Sequence, residues 1–192
     1  FRSDCLVGTR YLRWKTASWR GLLPMTDDAS LRHRSYSWVP VEMVGPPLAG
    51  RTGLEYFEAL RDGALPPQPI TATIGWRVEE VGDGLIRLAI DPGDHLSHGG
   101  GVIHGGVIAT LLDSCMSGAM MTTAPAGAIC TTLQLNIQYL SALRPDCGEL
   151  FAEGIVTHRG RKVAAAEGRL EDSCGRTYAR ATATVLITEG RV

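Results

Sequence analysis

The sequence predicts a two-layer α+β domain in which an antiparallel sheet curls over one long helix. Three observations carry this reading. First, one strong helical period lies in residues 105–121. Its apolar side chains are Ile108, Leu111, Leu112, Cys115, Met116, Ala119 and Met120, the i, i+3, i+4, i+7, i+8 spacing of a helix with one buried face. Second, two extended segments precede this helix and four follow it, each bounded by Gly, Pro or Asp turn signals. Third, the connections among the last four are short, which favours antiparallel pairing. One apolar helix and six strands bury their faces best when packed on each other.

Composition bounds the rest. A chain of 192 residues with 44% apolar content suits one domain of ordinary size with an extra arm. The formal net charge of −1 offers no electrostatic case for nucleic acid or an anionic membrane surface, and no apolar run reaches the length of a membrane span. The five cysteines (Cys5, Cys115, Cys130, Cys147, Cys174) are odd in number and form no C-x-x-C pair. They read as free thiols in a reducing cytoplasm rather than as disulfides or a zinc site.

In chain order, residues 1–24 carry Trp14, Trp19 and several arginines without a period, and Met25 reads as a natural start. They are expected to be foreign to the folded unit or a flexible arm. Asp4 and the missing amphipathic period argue against a transit peptide. Residues 25–50 are polar and then Pro-rich, a linker, so the arm and linker are placed at 1–52 and the domain at 53–192. Leu54, Phe57, Leu60 and Arg61 predict a short helix ended by Asp62-Gly63. Ile70–Val81 predicts a strand with Ile74, Trp76 and Val78 on one face. Gly82-Asp-Gly84 turns it into a return strand, Leu85–Ile90. Asp91–Gly101 is a loop leading to the long helix. Beyond that helix come strands at 129–140, 149–158, 162–170 and 176–187. In the first of these, Leu133, Leu135, Ile137 and Tyr139 share one face, and Thr132, Gln134, Asn136 and Gln138 the other.

The candidate chemistry sits on the long helix. N–H groups at a helix start lack intrahelical partners and attract negative charge, and glycine at 105 and 106 lets a ligand approach them. That makes an oxyanion site plausible on chemical grounds. Asp113 stands at the edge of the apolar stripe, where a carboxylate can serve as general base or nucleophile. Gly105 and Asp113 are eight residues apart, about 12 Å along a helix, so one carbonyl cannot touch both within one chain. Two copies of the helix, antiparallel across a two-fold axis, would bring them together twice. Ser114, Ser117 and Gly118 are small enough to permit such an approach.

His104-Gly-Gly-Val-Ile-Ala-Thr-Leu-Leu-Asp113 resembles the signature of PaaI-type hotdog-fold acyl-CoA thioesterases, the phenylacetate-pathway and 4-hydroxybenzoyl-CoA-like group. The resemblance covers roughly residues 53–188. It includes Pro67-Gln-Pro-Ile70, Leu133-Gln-Leu-Asn-Ile-Gln-Tyr-Leu140 with Arg144-Pro, and Gly160-Arg-Lys-Val163. It implies a hotdog fold, a curled antiparallel sheet wrapped around a central helix, assembled as homodimers and dimers of dimers. It implies hydrolysis of acyl-CoA to free acid and CoA, without metal or other cofactor, since CoA belongs to the substrate. Asp113 aligns with the catalytic carboxylate, and the Gly105 N–H of the partner chain with the oxyanion donor. Thr132 aligns with the assisting hydroxyl, with Thr131 as a neighbouring competitor. The family usually has Asn or Gln six residues before the motif histidine; here that position is His98, whose imidazole can donate or accept a hydrogen bond. His104 is read first as a helix cap. It completes the substrate-binding set with Gly106 and with Arg159, Arg161 and Lys162, basic residues at a turn where CoA phosphates could be met.

Two other functions use the same residues. A non-catalytic acyl-CoA-binding module would need the pocket but not Asp113. An enoyl-CoA hydratase or dehydratase on this fold would draw on Asp94 and His98, which have Asp-x-x-x-His spacing just before the helix. A metal site built from His95, His98 and His104 lacks a carboxylate or thiol at ligand spacing.

Overall fold

The structure, a computed structural model, describes residues 32–44 and 50–189. The readings of residues 1–24, of Cys5 and of Pro46-Pro47 lie outside them. The elements are α1 (Val41–Val44), α2 (Gly53–Arg61), α3 (Pro69–Ile74), β1 (Trp76–Gly82), β2 (Leu85–Ile90), a 3-10 turn at Asp94–Leu96, α4 (Gly105–Thr122), β3 (Ala128–Tyr139), β4 (Leu150–Arg159), β5 (Val163–Asp172) and β6 (Thr177–Glu189). The strands form one sheet in the order β1-β2-β4-β5-β6-β3, antiparallel at every step.

The long helix is where the period placed it. Ile108, Leu111, Leu112, Cys115, Met116, Ala119 and Met120 are all buried against the sheet. The sheet reaches the helix closely because its inner face is built from small residues. Ala152 and Gly154 on β4, Ala164, Ala166 and Gly168 on β5, and Ala179, Ala181 and Ala183 on β6 form that face. At Gly154 the fit is backbone against backbone: a Cβ there would collide with the Cys115 carbonyl. Gly154→Ala is therefore expected to destabilise the fold by about 3 kcal/mol, the upper part of the range for overpacking, since main chain must move. For a domain of this size that lowers the melting temperature by roughly 6–12 °C in a thermal unfolding scan. An unchanged midpoint would show that the strand and helix are not this close.

The short helix predicted at 54–61 is α2. Thr52 and Glu55 form a reciprocal capping box at its start: Thr52 Oγ accepts from the Glu55 N–H at 3.3 Å and the Thr52 N–H donates to Glu55 Oε2 at 2.8 Å. Gly53 lies against the backbone of Met121, with its N–H donating to the Ala124 carbonyl at 3.2 Å, so α2 is seated on the end of α4.

Four expectations are corrected. Residues 70–75 do not begin a strand. Pro69–Ile74 is the helix α3, and only Trp76 onward is extended. The β-branched residues Ile70, Thr71, Thr73 and Ile74 suggested a strand, but Pro69 at the first helical turn and Gly75 in the left-handed conformation (φ 99°) frame a helix. Second, β3 does not pair with β4, its neighbour in sequence. It crosses the end of the sheet to pair with β6, leaving β2 beside β4. Third, β3 does not keep one parity. Thr132 opposes Val185 and Gln134 opposes Thr184, so Leu133 is an extra residue in a bulge, 58% exposed. Ahead of the bulge Thr132 faces the helix, and beyond it Leu135 and Ile137 do. Fourth, Gly118 is not open to a second helix: it is buried beneath the Phe57 ring of α2.

Candidate active site

The sheet leaves one side of α4 uncovered, between β3 and the α2–α3 segment. Asp113 stands on that side, half-buried. The bulge in β3 turns Thr132 toward it, and the Thr132 hydroxyl donates to Asp113 Oδ1 at 2.9 Å. Among the described residues this is the one hydrogen bond made by the carboxylate, and no ion pair neutralises it. A carboxylate steadied through one oxygen and open at the other is arranged to take a proton or to attack. Thr131 is exposed and opposes Leu186 on the far side of the strand, so Thr132 is the hydroxyl that meets Asp113.

The two glycines at the helix start are not equivalent. His104 is the N-cap, in an extended conformation (φ −63°, ψ 133°), and its Nδ1 accepts the Gly106 N–H at 2.9 Å. That N–H is thereby occupied. The Gly105 N–H, one residue earlier, has no acceptor among the described residues. The carbonyl of the same peptide unit, that of His104, accepts from Val107 at 2.9 Å and Ile108 at 3.5 Å. This polarises the Gly105 N–H, and the helix dipole adds to it. Of the two glycines, Gly105 is therefore the one whose N–H has no acceptor among the described residues, and His104 is the helix cap.

Tyr139 was not singled out as a site residue. At the far end of β3, its hydroxyl donates to the Gly105 carbonyl at 3.0 Å. It pins the first turn of α4 to the strand that also carries Thr132. A phenol on the inward parity of β3 was visible in the sequence; its contact with residue 105 was not.

His98 occupies the loop before α4. Its Nδ1 accepts the Gly100 N–H at 2.9 Å, which leaves Nε2–H as the donor of the neutral ring. Its ring stands edge-on to that of His104, with centroids 6.3 Å apart. No hydrogen bond joins His98 to Asp113 or Gly105 within the described chain. Arg159, Arg161 and Lys162 are exposed at the β4–β5 turn and form no ion pair among the described residues. Ala164, Val185 and Thr132 lie in one row across β5, β6 and β3. Lys162 is therefore about 7 Å along and about 10 Å across from the strand position that touches Asp113. Among the described residues no three His, Cys, Asp or Glu side chains are grouped to hold a metal ion. No described helix is long and apolar enough to cross a membrane.

If the hydrogen bond from Thr132 orients the carboxylate, Thr132→Val should lower kcat for the reaction proposed below about tenfold. That is the lower end for a bond to a charged group. Steady-state rates alongside a thermal scan check this; an unchanged kcat would make Thr132 an ordinary strand residue.

A six-stranded antiparallel sheet wrapped around one helix, with an acid on the open side of that helix and a glycine donor at its start, is the hotdog architecture in a form suited to acyl transfer chemistry. The chain belongs to the thioesterase superfamily. The superfamily model matches residues 100–179, the span that contains the helix and Thr132. A Halobacterium salinarum protein provisionally named an esterase is 36% identical over a 99-residue alignment that covers 49% of this chain. The chain spans 64% of that relative's length. Among solved structures, a protein of the thioesterase superfamily is 30% identical with a TM-score of 0.59, covering 71% of this chain and 99% of that one. The phenylacetic acid degradation-related protein of Ralstonia eutropha is 28% identical with a TM-score of 0.62, covering 68% and 98%. A hypothetical thioesterase of Streptococcus pneumoniae solved with coenzyme A is 26% identical with a TM-score of 0.56, covering 62% and 89%.

Proposed function

We propose that the protein hydrolyses acyl-CoA thioesters to the free acid and CoA. What supports this is that one helix carries an N–H with no acceptor among the described residues, that of Gly105, and a carboxylate held at one oxygen only, Asp113. The coenzyme A in the streptococcal relative supports CoA as the leaving group. The thioester carbonyl oxygen accepts from Gly105, which stabilises the charge formed on attack. Asp113 takes a proton from the attacking water, or attacks the carbonyl itself to give an anhydride that water then opens. Either route ends with the acyl group as carboxylate and the sulfur protonated as free CoA. The Nε2–H of His98 replaces the usual amide in positioning the thioester or the water. Arg159, Arg161 and Lys162 meet the CoA phosphates.

The site is composite. Gly105 and Asp113 lie about 12 Å apart on one helix, so Gly105 of the partner subunit faces Asp113. The dimer forms along β3, a strand of 12 residues at the edge of the sheet, with no second neighbour among the described residues and with exposed Ile129, Leu133 and Tyr139. Pairs of dimers associate further. Cys115, Cys130, Cys147 and Cys174 are all free thiols, which supports a reducing cytoplasmic setting.

A panel of short, medium, long and aromatic acyl-CoA substrates, read by thiol release, tests the reading. Thiol release from at least one member, dependent on Asp113, is the expected result. Binding of acyl-CoA without thiol release from any member would make the protein a binding module. Loss of the enoyl absorbance of crotonyl-CoA without thiol release would make it a hydratase.

A further inference from the structure

We infer that the groove between the α2–α3 segment and α4 is the acyl-chain site, and that it takes a linear, uncharged acyl group of about eight carbons. The inference rests on the thioesterase reading. The groove has a volume of about 820 Å³, and its floor starts at Ser114, the residue next to Asp113. From there it follows the helix past Ser117 and Gly118 to Met121. Phe57 and Leu60 of α2 and Trp76 and Leu88 of β1 and β2 form its walls; loop 63–68 and α3 form its roof.

Three features define the ligand. The floor is hollow at Ser114 and Ser117 because these residues are small, whereas Gly118 is already covered. Ser117 turns its hydroxyl back to the Ser114 carbonyl at 3.4 Å and so asks for no polar partner from a ligand. Gly118 lets the Phe57 ring lie directly on the helix, since a Cβ there would come within 3.1 Å of it. The walls are apolar, as in sites that bury hydrocarbon. The cations of the lining are already paired: Arg61 with Asp62 at 2.8 Å, and Arg77 with Glu149 at 2.6 Å and Glu79 at 3.2 Å. A second carboxylate on the acyl group would have to compete with these acids for the two cations, which favours an uncharged chain. Length follows from the helix. Ser114 to Met121 is seven residues, about 10.5 Å of rise. An extended chain advances about 1.2 Å per single bond, as a backbone residue does over its three bonds. Eight to nine bonds counted from the thioester sulfur fill that span, the S–C bond and the seven C–C bonds of an octanoyl chain making eight, and carbons beyond them meet solvent at the open side.

Two measurements test this. With wild-type protein, kcat/KM should rise about threefold to fourfold per added methylene, the usual gain for burying one, from acetyl-CoA to octanoyl-CoA. It should gain little more at palmitoyl-CoA. Ser117→Met, which fills the floor, should lower the octanoyl-to-acetyl ratio of kcat/KM at least tenfold, while Ser117→Ala keeps it within about twofold. The same two substitutions are then placed on the Asp113→Asn protein, and dissociation constants for octanoyl-CoA and acetyl-CoA are measured by calorimetry. Ser117→Met should lower the binding preference for octanoyl-CoA at least tenfold there too. A preference unmoved by Ser117→Met in both measurements overturns the groove assignment, even where thiol is released. A preference that responds in calorimetry while wild type releases no thiol keeps the groove and removes the hydrolase reading. A rate that climbs with the same slope to palmitoyl-CoA overturns the eight-carbon limit.

Discussion

Asp113→Asn protein is expected to release thiol about 10²–10⁴-fold more slowly than wild type, the range for removing a positioned general base. Asparagine keeps the shape of the side chain and keeps Oδ1, so the hydrogen bond from Thr132 at 2.9 Å has its acceptor still. The substitution therefore removes the charge and basicity while leaving the packing of α4 in place. Melting temperature should stay within a few degrees of wild type, and octanoyl-CoA should still bind. Stopped-flow thiol detection under single-turnover conditions separates this from slow product release. A rate within twofold of wild type would mean that Asp113 is a solvated helix-face acid and that the chemistry lies elsewhere.

The second large effect concerns the donor. Gly105 is the first residue of α4, where proline is well tolerated, and His104 before it already has the extended backbone that a following proline requires. A Cβ at 105 meets the Tyr139 ring at 3.4 Å, an ordinary contact. Gly105→Pro thus removes one N–H with little strain. It should lower kcat about 10²–10³-fold, the usual loss for one oxyanion donor. The two variants together test whether the site is shared. In a heterodimer of Asp113→Asn and Gly105→Pro subunits, one site carries both lesions and the other carries neither. Mixing the variants with subunit exchange should restore about a quarter of wild-type activity, because half the dimers are mixed and each has one intact site. No recovery, with exchange confirmed by mass spectrometry of the assemblies, would place donor and acid in the same subunit or assign one of them no role.

Local chemistry made part of this legible beforehand. The buried stripe of α4 follows from its 3.6-residue period, and the burial of Ile108 through Met120 matches it residue by residue. The hairpin of β1 and β2 was marked by Asp83-Gly84, and Gly84 takes the positive φ (75°) that this turn needs. The His104 cap and the position of Asp113 at the edge of the apolar stripe were also visible, since they depend only on neighbours within one or two helical turns. By contrast, the β-branched composition of residues 70–74 points to a strand, while the Pro69 and Gly75 that frame them make a helix.

What the sequence by itself determined is the set of faces: which side of α4 is apolar, where it starts, and that an acid stands eight residues beyond a glycine. Only the tertiary structure decided which groups meet across those faces. The bulge at Leu133 arises from the register of β3 against β6, where Thr132 opposes Val185, 53 residues further on, and one extra residue reverses every side chain ahead of it. That reversal, not the period of β3, aims Thr132 at Asp113. The same long-range pairing brings Tyr139 to Gly105, and the seating of α2 on Met121 opens the groove beside Ser117. Periodicity acts over a few residues, whereas register and seating are set by the whole sheet closing on its helix.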